Sequence, residues 1–325
     1  MREITYLQAI TEAIDEEMAR DPTVFLMGED IRAWGAPLGE FKGLYEKYGG
    51  ERVRDTAISE TAMLGATAGA AAMGMRPIVH IMFSEFLGVC MSDIRCVLTK
   101  TRYMTGGKTK FPATIMSYSG AGVSAAGEHS ACPYGWLMAI PGLKIVAPAT
   151  PYDAKGLIKS AIREDNPVQV LYHIKLIFDR LTGEVPEEEY TIPIGVADIK
   201  REGKDITVVA VGLMVHRALA AANKLQEKGI SLEIVDLRSL APIDKQTIIN
   251  SVKKTGRLVI MDEEPKTASA SAEIAAIIAE EAFDLLDAPI KRVCAPDTPI
   301  PFSPSLEKAW MPDEEDLIKA VTEIT

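Results

Sequence analysis

The sequence predicts an α/β protein of two domains, each built on a mainly parallel sheet. Short apolar, β-branched runs alternate with helical patterns along most of the chain. One stretch, 181–193, interrupts that alternation, and a second alternating set follows it. No apolar run approaches the roughly 20 residues needed to span a bilayer.

The first helix is announced by Thr5-x-x-Gln8, a capping-box pattern, with Leu7, Ile10, Ile14 and Met18 along one face. Residues 23–27 then form a strand. Further strands are expected at 76–83, 112–116, 144–146 and 168–172, and helices at 61–73, 85–99 and 153–162. From Thr182 to Pro193 prolines and acids leave no room for a core element, which places the domain boundary there, with domains 1–185 and 186–325. The second set has strands at 206–211, 231–235 and 257–261 and helices at 215–227, 245–253 and 269–283. There is no internal repeat and no low-complexity segment.

With 325 residues, 47% hydrophobic and 25% charged, the chain can bury two sizeable cores. A formal net charge of −11 disfavours nucleic acid or an anionic membrane as partner. Cys90, Cys96, Cys132 and Cys294 form no Cys-x-x-Cys pair and read as reduced thiols. The opening Met1-Arg2-Glu3-Ile4 runs into an amphipathic pattern rather than a secretory or transit signal, so a cytoplasmic protein is expected.

The sequence has no zinc, P-loop, Ser-His-Asp or Gly-x-Gly-x-x-Gly signature. Two other segments stand out. Ile58-Ser59-Glu60 opens a helix carrying Gly65, Gly69 and Gly74 among alanines, smooth enough for another backbone to approach, whether from this chain or another. The start of a helix favours the Glu60 carboxylate, although a simple N-terminal acid would look the same. A glycine-rich run, 120–127, leads into Glu128-His129-Ser130. Glycines let a ligand reach the backbone there, yet His129 could equally be a surface histidine. His80 and His173 lie in strand-like runs and His216 starts a helix, so these three read as structural.

Several segments, taken in order, carry a resemblance: Met27-Gly28-Glu29-Asp30, Asp55-Thr56-Ala57-Ile58-Ser59-Glu60, Pro141-Gly142-Leu143-Lys144 and Thr150-Pro151-Tyr152-Asp153-Ala154-Lys155-Gly156-Leu157. Asp236-Leu237-Arg238-Ser239-Leu240-Ala241-Pro242 and Ala295-Pro296-Asp297-Thr298-Pro299 continue it. Together they resemble the β subunits of thiamin diphosphate-dependent 2-oxo acid dehydrogenases. The acetoin dehydrogenase branch is most similar, through Ala33-Trp34-Gly35, Arg102-Tyr103-Met104 with Gly106-Gly107-Lys108, and Tyr118-Ser119-Gly120-Ala121-Gly122.

The resemblance implies a pyrimidine-binding domain followed by a transketolase C-terminal-like domain in an α2β2 tetramer. The α subunit would hold the diphosphate and Mg2+ through a Gly-Asp-Gly-type motif, a triplet this sequence lacks. By the same resemblance Glu60 hydrogen-bonds the cofactor's pyrimidine ring, and Met82 and Phe86 line the ring's pocket. A carboxylate on the ring nitrogen favours the imino tautomer, whose nitrogen can take the proton from the thiazolium carbon. His129 matches the family histidine that assists proton transfer as the acyl group passes to the lipoyl arm of an acyltransferase. Ala131 stands where that family's His-Ser-Gln triplet has glutamine, Val89 stands where some relatives have a pocket glutamine, and Asp262-Glu263-Glu264-Pro265-Lys266-Thr267-Ala268-Ser269 departs from a segment where many relatives have an Arg and a Gly pair. Ala113, Ala161, Ile162, Glu164 and Asn166 match a structural potassium site in some relatives, with Glu164 in place of the usual aspartate.

Two other readings stay open. One is a pyruvate or branched-chain 2-oxo acid dehydrogenase β subunit. The other is a non-catalytic subunit that docks an acyltransferase, against which the presence of both Glu60 and His129 argues.

Overall fold

A computed structural model describes residues 1–325 and divides the chain into two compact units. The first comprises Met1–Ser119 and Ile140–Ile194; the second comprises Gly120–Ala139 and Gly195–Thr325.

In the first unit, β1 (Arg2–Thr5) leads into the helix Tyr6–Arg20 through the predicted capping box, Thr5 and Gln8 each bonding the other's backbone N–H. Its buried face carries Ile10, Ile14 and Met18, while Leu7 is half-buried. The strands β2 (Val24–Gly28), β3 (Val53–Asp55), β4 (Arg76–Phe83), β5 (Ala113–Ser119), β6 (Lys144–Val146) and β7 (Pro167–His173) pair in the order β6-β7-β5-β4-β2-β3, every pairing parallel. Buried on both faces, β2, β5 and β7 read as near-continuous apolar runs. A separate two-stranded ribbon joins β1 to β8 (Thr182–Val185), antiparallel.

The helix Pro151–Arg163 starts at its Thr150 cap and pairs with the first helix through Arg163–Glu17 at 2.5 Å and Lys155–Glu16 at 2.6 Å. Behind the sheet lies a polar knot. The buried Glu40 carboxylate accepts from Tyr118 and, at 3.2 Å, from Tyr172, whose hydroxyl also lies 2.8 Å from His80 Nε2. Burial pushes the Glu40 carboxyl up to about 7 and the His80 imidazole down to about 3, His80 being fully buried in β4.

Two expectations differ from the structure. The predicted boundary at 185/186 falls inside the first unit, which runs on to Ile194. Residues 186–194 are largely exposed but anchored at two points: Tyr190 stacks on Tyr152 at 4.7 Å, and the Ser160 hydroxyl donates to the carbonyl of the buried Ile192 at 2.5 Å. The predicted helix 85–99 is instead a 3₁₀ turn, Ser84–Gly88, followed by a π-helical segment, Asp93–Leu98. Gly88 and Ser92 are weak α-helix formers, and π turns often mark functional sites.

In the second unit, β9 (Asp198–Arg201), β10 (Ile206–Ala210), β11 (Leu232–Asp236), β13 (Leu258–Pro265) and β14 (Lys291–Ala295) form a sheet in the order β14-β13-β10-β11-β9, with β12 (Ser239–Ala241) outside it. Only β9 runs antiparallel to its neighbour. The helices Leu213–Gln226, Lys245–Thr255 and Ala270–Glu281 match the predicted ones within a few residues. Neither unit has a helix long and apolar enough to cross a membrane.

Candidate active site

In the first unit the predicted cofactor residues gather at the carboxyl end of the parallel sheet and in the turn that follows. Met82 stands near the end of β4 and Phe86 in the 3₁₀ turn after it, both partly exposed. Phe86 packs edge-on against Phe83 with ring centres 6.0 Å apart, and Phe83 lies 5.5 Å from Tyr118. Glu60 is the first residue of the helix Glu60–Ala72, half-buried, where the helix dipole favours a carboxylate. The next residue ties the helix start to the Phe86 turn, the Thr61 hydroxyl donating to the Val89 carbonyl at 3.3 Å.

Glu29, of which the sequence marked only its tetrapeptide, stands just after β2 within electrostatic reach of Glu60. Its carboxyl is raised above the ordinary range, first by burial and then by the negative charges of Glu60 and Asp30. Its position depends on Gly28, where a Cβ would come within 2.9 Å of His80 Cβ and 2.7 Å of Ile31 Cδ1.

The outer face of the Glu60–Ala72 helix is open. No atom lies within 4 Å of where a Cβ would stand on Gly65 or Gly69. Ile58 and Met73, at either end of this face, are 81% and 84% exposed. Close packing against these small residues therefore does not come from this chain.

His129 sits in the second unit, half-buried, in the excursion Gly120–Ala139. Carboxylates hold both ends of that excursion. Glu263 accepts from Ala121 N–H at 2.6 Å, and Glu307 accepts from Gly122 and Ser124 N–H at 2.8 and 2.9 Å. Glu264 accepts from Gly135 N–H and Ala270 N–H, both at 2.8 Å. The Asp262 carboxylate accepts from the N–H groups of Glu264 and Ser271. Burial pushes Asp262 up to about 6 and, with repulsion from Asp262 added, Glu264 up to about 9. In the sequence Asp262, Glu263 and Glu264 were only the start of the departing segment 262–269, with nothing to single out the acids; Glu307 carried no signal.

With the geometry of both units in view, comparison with known proteins gives a consistent answer. Residues 2–178 match the transketolase pyrimidine-binding domain, and residues 195–317 match the transketolase C-terminal domain. The chain is 48% identical to the β subunit of an acetoin:2,6-dichlorophenolindophenol oxidoreductase from Cupriavidus necator, over 98% of this chain and 96% of the relative. It is 43% identical to a 2-oxoisovalerate dehydrogenase β subunit from Bacillus subtilis, over 100% of this chain and 99% of the relative. The chain belongs to the family of thiamin diphosphate-dependent acetoin and 2-oxo acid dehydrogenase β subunits.

A solved structure of a split-gene transketolase, an inactive β4 tetramer, matches with a TM-score of 0.81 over 99% of this chain and 98% of that one. At 24% identity it supports the fold of the β subunit and nothing finer.

The oxygens proposed for potassium lie in the first unit of this β subunit, around the end of the helix Pro151–Arg163. Cationic side chains already occupy several of them. Arg76 donates to the carbonyls of Ile162 and Glu164 at 3.1 and 3.0 Å, Arg102 donates to Asn166 Oδ1 at 3.0 Å, and Lys144 pairs with the Glu164 carboxylate at 2.6 Å. Ala161 O accepts from Glu164 N–H at 3.3 Å, and Ala113 begins β5. An added cation here would contend with Arg76 for the same oxygens.

Proposed function

We propose that this chain is the β subunit of an α2β2 enzyme that cleaves acetoin, using thiamin diphosphate and Mg2+, and passes the acyl group to the lipoyl arm of an acyltransferase. The observation that carries the choice of acetoin is the higher identity to an acetoin oxidoreductase β subunit, 48%, than to a 2-oxoisovalerate dehydrogenase β subunit, 43%.

The first unit suits one end of the cofactor. A carboxylate at a helix start beside the partly exposed Met82 and Phe86 fits an aromatic ring with a basic nitrogen. The sequence has no Gly-Asp-Gly triplet to hold a diphosphate and its metal, a task that falls to an α subunit. The bare small-residue face of the Glu60–Ala72 helix is suited to such a partner, because glycines at an interface admit a second backbone.

When bound, the cofactor supplies a carbon nucleophile that attacks the substrate carbonyl and stores the electron pair released on C–C cleavage. Glu60 would share a proton with the pyrimidine ring nitrogen and so hold the ring in the tautomer able to act as base. Met82 and Phe86 would line the ring's pocket and limit water at that hydrogen bond, which would strengthen it. In the transfer step the stored electron pair would bond the acyl carbon to one lipoyl sulfur as the S–S bond breaks, the other sulfur would leave as a thiolate that His129 would protonate, and loss of the hydroxyl proton would form the thioester carbonyl as the acyl carbon parts from the cofactor carbon.

The test is turnover of the tetramer reconstituted with its α subunit, 2,6-dichlorophenolindophenol serving as electron acceptor. The expected result is a higher kcat/KM for acetoin than for branched-chain 2-oxo acids. The reverse order would move the chain to the branched-chain reading.

A further inference from the structure

The backbone around His129 has a shape that it would not hold unaided. Gly120 and Gly122 have φ of 90° and 101°, and the non-glycine residues Ser124 and Ala126 have φ of 57° and 63°. Positive φ costs a residue with a Cβ about 1 kcal/mol or more, so Ser124 and Ala126 must be held there by their surroundings.

The stem before His129 is held by two acids that meet it only through folding. Glu263 lies near the carboxyl end of β13 and Glu307 in the helix Pro304–Trp310; both are buried, each 3% exposed. Between them they take the N–H groups of Ala121, Gly122 and Ser124, and Glu307 also lies 3.3 Å from the Ser124 hydroxyl. Both oxygens of Glu307 are used, which fixes direction as well as distance. The far stem is fixed independently. Gly135 is held by Glu264 and lies so close to Ala268 that a Cβ would fall 2.0 Å from the Ala268 carbonyl oxygen. His129 is thus carried on a span whose two ends are both set by the second unit.

We propose that Glu307 and Glu263 are positioning residues for His129. They fix the glycine-rich stem through backbone N–H groups, and so set where the imidazole stands when a leaving thiolate needs a proton. The inference rests on the reading of His129 given above. A misplacement of about 1 Å at a proton donor is enough to slow a step substantially, so loss of the clamp should act on the lipoyl step more than on formation of the carbon nucleophile.

The experiment compares two rates in the tetramer reconstituted with its α subunit: acyl transfer to free lipoamide, and reduction of 2,6-dichlorophenolindophenol, which requires no lipoyl thiol. The readout is their ratio in the parent, His129→Ala, Glu307→Ala and the double variant, with acetoin or whichever 2-oxo acid turns over best. In Glu307→Ala the ratio should fall about tenfold, carried by kcat for lipoamide rather than by KM. In the double variant it should fall no further than in His129→Ala alone, because a residue that acts through His129 has nothing left to position.

Glu307→Gln keeps one acceptor oxygen and should lose about threefold, a partial rescue. It carries the test alone if the alanine variant does not assemble, and a parental ratio in it would then overturn the proposal. Equal losses of both rates in Glu307→Ala, or a further loss in the double variant, would make Glu307 merely structural. A parental ratio in His129→Ala would remove the proton-transfer reading of that histidine, and the positioning role with it. A reduced ratio in His129→Ala beside a parental ratio in Glu307→Ala would remove the positioning role alone.

Discussion

In the first unit Glu60 stands half-buried at the start of its helix and Glu40 is enclosed among hydroxyls, whereas in the second unit Glu263, Glu264 and Glu307 all accept from backbone N–H groups. The environments assign different tasks to the same side chain. A carboxylate that the fold surrounds with N–H donors is spent on shaping a loop. One that the fold leaves partly exposed, at the start of an uncovered helix face, is available to a ligand. Burial raises the carboxyl of Glu40, and that of Glu264 too despite its N–H donors, so what separates these acids is the partner each holds rather than burial alone.

The largest effect that could break this contrast is expected at Glu60. Glu60→Gln keeps size and packing and loses the carboxylate, so the assembled tetramer should lose about 10²-fold or more in turnover at saturating cofactor and Mg2+. Its melting temperature should stay near the parent's. Turnover within a few-fold of the parent would return Glu60 to being a helix-terminal acid.

A smaller effect, on stability, is expected at Glu40. Its carboxyl is raised in the folded protein to about 7 from 4.5, so the folded state binds the proton more tightly than the unfolded chain. The stability tied to that proton is complete below about pH 4.5 and is lost as pH rises toward 7. Glu40→Gln has no such proton, so its melting temperature should change less between pH 4.5 and 7 than the parent's. Parallel melting curves across that range would show that Glu40 does not titrate there.

Smallest is the effect of potassium. With Arg76 and Lys144 supplying positive charge at the end of the Pro151–Arg163 helix, the parent should gain about 1 °C or less in potassium over tetramethylammonium at equal ionic strength. Arg76→Gln, which frees the Ile162 and Glu164 carbonyls, should gain more. Equal gains would mean that Arg76 and the ion do not compete.

Local structure in the first unit was legible in the residues themselves, whereas Met82, near the end of β4, and Phe86, in the turn after it, were named only through the resemblance. Ile58-Ser59-Glu60 opens a helix as expected, and the capping box at Thr5 is formed as its spacing predicts. What stayed hidden depends on contacts between segments distant in sequence. Glu307 lies in a short helix with nothing local to mark it, and its meaning comes from N–H groups more than a hundred residues earlier. The acids and prolines of 181–193 suggested a linker because composition registers polarity and misses the Tyr190–Tyr152 stack that binds the segment to the first unit. Periodicity likewise extended one helix through 85–99, where the backbone tightens to 3₁₀ and then widens to π.

The excursion Gly120–Ala139 also bears on how this gene can be rearranged. The chain leaves the first unit after β5, contributes twenty residues to the second, and returns before β6. The two units are therefore not successive beads that recombination could exchange at a single crossover. A fragment that began at Gly195 would leave Glu263, Glu264 and Glu307 in its interior without the N–H groups of Ala121, Gly122, Ser124 and Gly135. Buried acids stripped of their donors are costly, so such a fragment should be less stable than one that also carries Gly120–Ala139.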